Sequence, residues 1–373
     1  MSATRLILVG GFLGAGKTTL LTEAATRLIR RGKRVGLLAN DQAPDLVDTE
    51  VFKTSGAGVE EVAGGCFCCR FPDMITAMER LLQHSRSDVI LAEPVGSCTD
   101  LSATVLQPLK DRYRDRFEVA PFSVLIDTTQ VCALARLPAT TVPAAPPRFP
   151  DKVLYIYEKQ LEEADAIVLN KVDLLSPEEV SGLKQALATR FPEVPVFTMS
   201  ALTGDGVDAW LDFVTQSQAA GRRIAQVDYD TYAAGEAALG WMNASARLRA
   251  STPVDWRTFA ADTLDAIRTR LRNASGEIAH LKIFLTTPGA YVAGNITSNE
   301  GPVSVRGEID AARSTVSLLI NARVHAHPDI LRAIVEEGLR ATAGDRVEVT
   351  ITNIRSFFPG RPEPTYRYRN TVQ

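Results

Sequence analysis

The first part of the chain alternates short apolar runs with segments of helical periodicity. Apolar runs of this kind predict buried strands, and the amphipathic stretches between them predict helices. The predicted strands cover residues 6–9, 35–39, 89–92, 122–126, 166–169 and 194–197, and the predicted helices include 17–30, 161–164 and 177–189. Buried strands that alternate with helices indicate an α/β fold with a mostly parallel sheet covered on both faces.

The pattern changes after about residue 213. The polar stretch 216–230 predicts a linker. The elements predicted after it are a strand at 241–248, a helix at 256–272, strands at 278–286, 290–297, 303–308 and 314–321, a helix at 328–343 and a strand at 346–354. This order indicates a smaller C-terminal α+β domain of the ferredoxin-like type with extra strands. Residues 137–150 hold five prolines and show no periodicity, so we expect an exposed loop there.

Length and composition narrow the class of protein. A chain of 373 residues with 45% hydrophobic and 23% charged residues is typical of a globular protein of about two domains. The net charge of −3 gives no basic excess for nucleic-acid binding, and no apolar run approaches the roughly 20 residues of a membrane span. The N-terminal run leads directly into a glycine-rich loop, so it predicts a strand rather than a signal peptide. Five cysteines are no disulfide framework, and we expect a cytoplasmic protein with neither membrane nor nucleic-acid partners.

A glycine-rich segment between the first predicted strand and the first predicted helix carries a phosphate-binding motif. Gly11-Phe-Leu-Gly-Ala-Gly-Lys17-Thr18 fits G-x-x-x-x-G-K-[ST], and the flanking strand and helix are the context that this motif requires. Backbone N–H groups of such a loop surround the phosphates, the lysine reaches the β- and γ-phosphates, and the threonine hydroxyl holds Mg²⁺. The candidate nucleotide-binding residues here are Gly11, Gly14, Ala15, Gly16, Lys17, Thr18 and Thr19, of which Lys17 is also a candidate catalytic residue.

A second motif indicates which base is bound. Asn170-Lys171-Val-Asp173 follows the predicted strand 166–169, at the sheet edge where ligands bind in parallel α/β folds. A carboxylate at Asp173 can accept hydrogen bonds from the N1–H and N2–H₂ groups of guanine, and adenine lacks that pair of donors. The motif therefore predicts GTP rather than ATP. Ser200 and Ala201 follow the next strand and are candidates for closing over the base.

Three of the five cysteines lie within four residues, in Gly64-Gly-Cys66-Phe-Cys68-Cys69. Thiolates spaced in this way on a glycine-led turn can converge on one soft ion, and cysteine favours Zn²⁺ or Cu(I), with other transition metals possible. Three thiolates leave one position of a tetrahedral metal open, as a delivery site requires. The alternatives are reduced structural thiols or a redox switch.

Carboxylates flank the cysteine loop in the sequence. Glu93-Pro-Val-Gly96 ends an apolar strand, where many P-loop GTPases carry an acid that supports Mg²⁺ and a glycine whose N–H meets the γ-phosphate, so Glu93 is a candidate catalytic residue and Gly96 a candidate nucleotide contact. Asp41 and Asp48 lie in a region that senses the γ-phosphate in such proteins, and Asp41 is a candidate Mg²⁺ ligand. Cys98 follows two residues after Gly96 and could add a ligand, although a buried small hydrophobe is the simpler interpretation.

These motifs together resemble the CobW-like family of metal-handling P-loop GTPases, relatives of the hydrogenase- and urease-maturation GTPases. The resemblance covers the chain to about residue 215, and its most specific mark is the C-x-C-C loop between the phosphate loop and E-x-x-G. It implies GTP hydrolysis coupled to insertion or transfer of a metal, often Zn²⁺ or cobalt, with Cys66, Cys68 and Cys69 as ligands. Two departures stand out: Asn40-Asp41 replaces the usual N-E, and a histidine-rich stretch is absent.

Histidines are few, and the one close pair is His325-Ala-His327. Residues two apart on an extended strand share a face, so a second metal site is geometrically possible, but a surface pair near a helix start is the simpler interpretation. The role of this pair and of the second domain stays open.

The sequence thus favours a P-loop GTPase domain at 1–220, a linker at 221–238, and an α+β domain at 239–373 that could bind a client. The expected cofactors are GTP, Mg²⁺ and a Zn²⁺ or Co²⁺ ion on the cysteine loop. The expected partner is a client metalloenzyme or corrinoid-dependent protein that receives the metal. The alternatives are a regulatory GTPase that senses zinc or redox state without delivering metal, and an ATP-dependent small-molecule kinase.

Overall fold

The computed structural model describes residues 3–128, 130 and 148–373, which form two compact units. The first unit contains the chain up to Gln42, Val51–Gly235 and Arg361–Gln373, and the second contains Ala43–Glu50 and Glu236–Gly360. Most of the predicted proline-rich loop, residues 137–147, lies outside the described residues. In the described part of the chain, no helix is long and apolar enough to cross a membrane.

The first unit is built on a parallel sheet, as predicted. Its strand order is β3-β2-β4-β1-β6-β7-β8, with β5 also paired to β1, and every pair is parallel. Its central strands β1, β2, β4, β6 and β7 are buried along their whole length, which explains their apolar runs. The strands are β1 Thr4–Gly11, β2 Val35–Asp41, β3 Gly58–Ala63, β4 Val89–Glu93, β5 Phe117–Val119, β6 Ser123–Asp127, β7 Ala166–Asn170 and β8 Val196–Met199.

Helices connect these strands. They are α1 Lys17–Arg30, α2 Val47–Lys53, α3 Phe71–Ser85, α4 Gln107–Arg112, α5 Asp151–Glu162, α6 Pro177–Arg190, α7 Val207–Gln216 and α8 Tyr229–Glu236, with a π-helical turn at Ser102–Leu106 and a 3₁₀ turn at Val172–Leu174. The predictions for α1 and α6 are confirmed. The predicted helix at 161–164 is wrong in extent, because it is only the end of α5 and the start of the turn that follows. The predicted linker at 216–230 is partly helical, since α7 ends and α8 begins within it.

The second unit is a six-stranded antiparallel sheet with two long helices. Its strand order is β12-β11-β10-β13-β9-β14. We set the β11–β12 hairpin aside and number the other four strands, β9, β10, β13 and β14, from 1 to 4. They then lie in the sheet in the order 4-1-3-2, which is the arrangement of a ferredoxin-like fold. The predicted α+β domain with extra strands is confirmed. The elements are β9 Gly240–Ala250, α9 Trp256–Asn273, β10 Glu277–Thr287, β11 Ala290–Ile296, β12 Ser304–Glu308, β13 Thr315–His325, α10 Pro328–Ala343 and β14 Val347–Phe357.

The core of the second unit follows from the alternation of side chains along its strands and from the apolar face of its helices. Alternate residues of β9, β10 and β13 point inward, for example Leu248, Ile283 and Leu318. One face of α9 covers them and includes Trp256 and Ile267. Asp255 begins α9 by accepting hydrogen bonds from the N–H groups of the first helical turn.

Candidate functional site

The phosphate loop lies between the end of β1 and the start of α1, where the motif predicts it. Gly11, Gly14 and Gly16 all have positive φ angles, of 126°, 81° and 98°. A Cβ at Gly11 would lie 2.4 Å from the carbonyl oxygen of Leu125, and a Cβ at Gly16 would lie 2.4 Å from Nδ2 of Asn170. Only glycine fits both positions, because the backbone conformation is left-handed and neighbouring strands approach closely.

Lys17, Thr18 and Glu93 converge beside this loop, and all three are buried. Nζ of Lys17 donates to the carbonyl oxygens of Gly11 (2.9 Å) and Phe12 (3.3 Å) and lies 3.9 Å from Oε1 of Glu93. Oγ1 of Thr18 donates to the same carboxylate oxygen at 3.1 Å. An ammonium group, a hydroxyl and a carboxylate within a few ångströms of each other match the needs of a Mg²⁺-bound triphosphate.

The loop after β4 is fixed next to the phosphate loop. A Cβ at Gly96 would lie 2.7 Å from Cδ2 of Leu13 and 3.1 Å from Nζ of Lys17. Nε2 of Gln160, on α5, donates to the carbonyl oxygens of Gly96 (3.0 Å) and Cys98 (2.8 Å). The backbone at Gly96 can therefore reach a group that Lys17 also contacts, as the E-x-x-G interpretation requires.

Asn170 connects the candidate base-binding segments. Its Nδ2 donates to the carbonyl oxygen of Ala15 at 2.8 Å, and its Oδ1 accepts from the backbone N–H of Ala201 at 2.9 Å. Lys171 has a positive φ of 65° and its Nζ contacts Oδ2 of Asp127 at 2.6 Å, while Asp173 is exposed in the 3₁₀ turn. The motif thus holds the phosphate loop and the Ser200–Ala201 segment together and leaves the carboxylate of Asp173 accessible.

Asp127 lies in the candidate site, although the sequence analysis did not single it out. It ends β6, is buried, and pairs with Lys171 through the 2.6 Å contact. Its signal in the sequence was its position, since an acid directly follows the apolar run 122–126 at the edge where ligands bind.

The end of β2 positions the cysteine loop. Nδ2 of Asn40 donates to the carbonyl oxygens of Val62 and Gly65, both at 2.8 Å, and its Oδ1 accepts from the N–H of Phe67 at 2.8 Å. The next residue, Asp41, is buried, and its carbonyl oxygen accepts from the N–H of Gly65 at 3.5 Å. Asn40 is therefore a positioning residue for the loop that bears the thiols. Asp48 belongs instead to the second unit, where it pairs with Lys282 at 2.5 Å.

Cys66, Cys68 and Cys69 form the one group of three or more metal-ligating side chains found in the described residues. Their sulfurs all lie within 4.8 Å of one another, with separations of 2.7 Å (66–68), 3.1 Å (66–69) and 3.8 Å (68–69). The loop turns through hydrogen bonds from the N–H groups of Cys69 and Arg70 to the carbonyl oxygen of Cys66. Three converging sulfurs in one turn fit a soft, tetrahedral cation.

The three thiols differ in acidity. Hydrogen bonds with the neighbouring thiols, first that of Cys68 and then that of Cys69, hold the pKa of Cys66 well below its usual range. The same contact with Cys66 raises the pKa of Cys68 well above its usual range, and it raises the pKa of Cys69 to about 12. The three thiols therefore share their protons through these contacts, and a metal must displace the protons that remain.

The C-terminal segment Arg361–Gln373 packs on the cysteine loop, a feature that the sequence analysis missed. The N–H of Thr365 donates to the carbonyl oxygen of Cys68 at 2.9 Å, and the N–H of Glu363 donates to Sγ of Cys69 at 3.3 Å. No motif signals this contact, because backbone groups make it.

The histidine pair shows no such convergence. His325 ends β13 and His327 precedes α10, where its Nδ1 accepts from the N–H of Asp329 at 3.3 Å. Both side chains are exposed. His327 therefore serves as the N-cap of a helix.

Comparison with known proteins agrees with this geometry. The model of the nucleotide-binding domain of the CobW/HypB/UreG family matches residues 5–198, which is more than half of the chain. The chain belongs to this family.

Among curated relatives, the chain is 29% identical over 206 residues to a zinc chaperone CobW of Sinorhizobium, a match that covers 50% of this chain and 56% of that protein. It is 30% identical over 189 residues to the zinc chaperone YeiR of Escherichia coli, covering 49% and 51%. It is 29% identical over 186 residues to the zinc-regulated GTPase metalloprotein activator 1 of Schizosaccharomyces pombe, covering 48% and 41%. The chain thus spans about half the length of these relatives.

Proposed function

We propose that this member of the CobW/HypB/UreG family is a GTPase metallochaperone that holds a transition-metal ion on its cysteine loop and couples GTP hydrolysis to delivery of that ion. The observation that carries the proposal is that the end of β2 holds the cysteine loop next to a candidate Mg²⁺ ligand. Asn40 binds the loop that presents Cys66, Cys68 and Cys69, and the adjacent Asp41 is the candidate Mg²⁺ ligand. One strand end therefore serves both the metal cargo and the nucleotide.

Each part of the nucleotide site has a role in this proposal. The backbone of the phosphate loop surrounds the phosphates, and Lys17 neutralises charge that develops on the γ-phosphate during hydrolysis. Thr18 and Asp41 hold Mg²⁺, and Glu93 supports this ion from its position beside Thr18. The N–H of Gly96 contacts the γ-phosphate. Asp173 selects guanine, and Ser200 and Ala201 close over the base.

The cargo is Zn²⁺ or Co²⁺, and it binds through Cys66, Cys68 and Cys69. Zinc and cobalt both accept tetrahedral thiolate coordination, and three thiolates leave a fourth position for a further ligand, from this chain or from the protein that receives the ion. The names of the relatives, which include zinc chaperones, support zinc. The client is a metalloenzyme or a corrinoid-dependent protein, and we assign its binding to the second unit.

The test is a titration of Zn²⁺ or Co²⁺ with a slowly hydrolysed GTP analogue, with GDP and with neither nucleotide. If the γ-phosphate orders the cysteine loop, metal affinity rises with the analogue and falls with GDP, by about 5–150-fold for a typical coupling. Linkage requires that the metal raise the affinity for the analogue by the same factor. A Cys66/Cys68/Cys69→Ser variant should lose both effects.

Equal metal affinity in all three nucleotide states contradicts the delivery mechanism and leaves a sensor or structural thiols. Nucleotide competition separates the third alternative, because an ATP-dependent kinase would prefer ATP to GTP. Turnover that rises when a client apoprotein is added supports delivery over sensing.

A further inference from the structure

A fourth cysteine lies beside the candidate metal ligands. Cys98 is buried, with 1% of its surface exposed, and its thiol forms a side-chain hydrogen bond with Cys66. The four cysteines in the described residues, all of them free thiols, therefore form one neighbourhood although two segments of the chain supply them.

Hydrogen bonds within the chain position the backbone around Cys98. The N–H of Cys98 donates to the carbonyl oxygen of Val95 at 2.9 Å, which closes a turn, and Gln160 binds the carbonyl oxygen of Cys98. Two residues later, Oδ2 of the buried Asp100 accepts from Nε of Arg367 at 2.6 Å, in the same C-terminal segment that binds the cysteine loop. The C-terminal segment thus contacts both stretches of chain that carry thiols.

We propose that Cys98 is the fourth thiolate ligand of the metal cargo, an assignment that rests on the proposed function. Four thiolates at about 2.3 Å from a tetrahedral ion are spaced by about 3.8 Å. The 68–69 separation already has this value, and the 66–68 and 66–69 separations of 2.7 and 3.1 Å must widen. Cys98 is not in the set whose sulfurs all lie within 4.8 Å of one another, so its side chain must turn further toward the other thiols.

The position of Cys98 in the chain, just after Gly96, gives this fourth ligand a role in releasing the metal. Cys98 follows Gly96, the residue proposed to contact the γ-phosphate, whereas the other three thiols come from the loop after β3. Loss of the γ-phosphate relaxes the loop at Gly96 and so weakens the bond from Cys98 to the metal. In the first step of delivery, the bond from the metal to Sγ of Cys98 breaks, the electron pair stays on the sulfur, and the thiolate takes up a proton from water. A ligand of the client then donates an electron pair at the vacated position, so the charge of the metal does not change. No oxidant or reductant is needed.

A structural explanation of Cys98 makes different predictions. Buried cysteines commonly pack as small hydrophobic residues, and in that case Cys98→Ala leaves metal binding intact. If Cys98 is a ligand, Cys98→Ala and the isosteric Cys98→Ser both weaken binding. Two variants are needed because serine tests for the thiol at constant size, while alanine removes the polar atom.

The experiment counts metal–sulfur bonds by X-ray absorption on the full chain loaded with Zn²⁺, and by the thiolate-to-metal charge-transfer band with Co²⁺. With the GTP analogue, we expect four sulfur ligands in the wild type and three in both variants, with the charge-transfer intensity reduced by about a quarter. Chelator competition should show an affinity loss of at least about tenfold in the variants. With GDP, we expect the wild type to resemble the variants.

Three sulfurs in the wild type with the analogue, or an unchanged count and affinity in both variants, overturns the assignment of Cys98. A count of four with both nucleotides overturns its role in release. Failure of the proposed function looks different, because the Cys66/Cys68/Cys69→Ser variant would then bind Zn²⁺ as well as the wild type does.

Discussion

At the scale of single residues, Glu93 lies next to both the hydroxyl of Thr18 and the ammonium group of Lys17 in the candidate nucleotide site. Its Oε1 accepts from the Thr18 hydroxyl at 3.1 Å and lies 3.9 Å from Nζ of Lys17. An aspartate at this position is shorter by one methylene, and the longer glutamate reaches Thr18 directly. Mg²⁺ bound to Thr18 would therefore lie near a negative charge that is buried and little screened by solvent.

We predict that Glu93→Gln lowers GTP hydrolysis by about 10²–10³-fold and weakens Mg²⁺ binding, because the amide keeps the shape of the carboxylate and its hydrogen bond but loses the charge. Single-turnover rates measured across a Mg²⁺ titration check this. Glu23→Gln on the outer surface of α1 is the control, since it removes a similar charge at a partly exposed position. Wild-type turnover in Glu93→Gln would remove Glu93 from the catalytic machinery.

Asp173 should determine the choice of base. Asp173→Ala removes two hydrogen bonds to a charged acceptor, so we expect GTP affinity to fall by more than about 2 kcal/mol. Asp173→Asn should shift preference toward xanthine nucleotides, because the O2 of xanthine accepts a hydrogen bond where the N2 of guanine donates one. Competition binding with GTP, XTP and ATP measures both effects. Equal affinity of the wild type for ATP and GTP would contradict the role of Asp173.

Asp88 gives a prediction about acid stability. Hydrogen bonds from Arg34, first from its side chain and then from its N–H, lower the pKa of Asp88 from 3.8 to about 2. A depressed pKa stabilises the fold above the unfolded-state pKa, and this contribution is lost as the pH falls toward about 2. Both side chains are substantially exposed, so the contribution is only about 0.5–1 kcal/mol.

The free energy of unfolding of Asp88→Asn should therefore lie below that of the wild type by this amount at pH 7, and the difference should shrink between pH 4 and pH 2. Urea unfolding at a series of pH values measures it. A difference that stays constant down to pH 2 would show that the carboxylate charge is not its source.

At the scale of elements, the C-terminal segment is the part of the site that the sequence predicted least. Besides its contacts with Cys68 and Cys69, the segment packs the ring of Tyr366 perpendicular to the ring of Phe71. The N–H of Tyr368 also donates to the carbonyl oxygen of Ala103. These contacts fix the start of α3 and the π-helical turn at Ser102–Leu106, the two elements that follow the thiol-bearing loops. The segment has no regular structure, so periodicity could not reveal it.

We predict that Arg367→Ala lowers the free energy of unfolding by about 1–3 kcal/mol. It removes the ion pair of the fully buried Asp100, and the loss is smaller than the ~3–5 kcal/mol of a fully buried pair because Arg367 is partly exposed. Amide hydrogen exchange should also accelerate in the cysteine loop. Arg369→Ala is the control, since it removes the same charge from an exposed position in the same segment. Equal exchange in the two variants would mean that the segment does not stabilise the cysteine loop.

The elements that sequence did predict share a physical cause. The strands β1, β2, β4, β6 and β7 are buried on both faces and so appear as continuous apolar runs. The missed strand β3 is at the edge of its sheet, is buried only at Val62 and contains two glutamates, while β5 has three residues. The start of α5 was missed because its first turns are rich in β-branched and aromatic residues, which favour strands.

The residues of the candidate site also fall into those that the sequence predicts and those that it does not. Motif residues such as Lys17, Thr18 and the cysteines were predictable, because their chemistry fixes both residue type and spacing. The positioning roles of Asn40, Gln160 and Arg367 were not, because these residues act on backbone groups or on partners distant in sequence. Such contacts depend on the completed fold.

At the scale of the whole molecule, the chain passes between the two units inside the region that follows β2. Asp41 ends β2 in the first unit, and Ala43–Glu50 belongs to the second. There, Asn321 accepts from the N–H of Val47 at 2.8 Å and donates to the carbonyl oxygen of Asp45 at 3.0 Å.

Further contacts hold the same segment in the second unit. Asn243 donates to the carbonyl oxygens of Ala43 (3.3 Å) and Pro44 (2.9 Å), and Lys282 pairs with Asp48. Only the two peptide bonds of Gln42 separate Asp41 from this segment. If Asp41 binds Mg²⁺ as proposed, this short connection predicts that the second unit responds to the nucleotide.

This response is measurable by amide hydrogen exchange. We predict that Ala43–Glu50 and the paired strands β9 and β13 exchange more slowly with the GTP analogue than with GDP, because the proposed Mg²⁺ contact of Asp41 would order one end of a segment that is bonded to these strands. In an Asn243→Ala/Asn321→Ala variant, this difference should disappear from β9 and β13 but persist in the cysteine loop, which Asn40 still holds. Asn295→Ala, on β11, is the matched control and should keep the difference. Identical exchange of the second unit of the wild type with both nucleotides would show that the region after β2 moves without it, and client binding would then have to be controlled by the first unit alone.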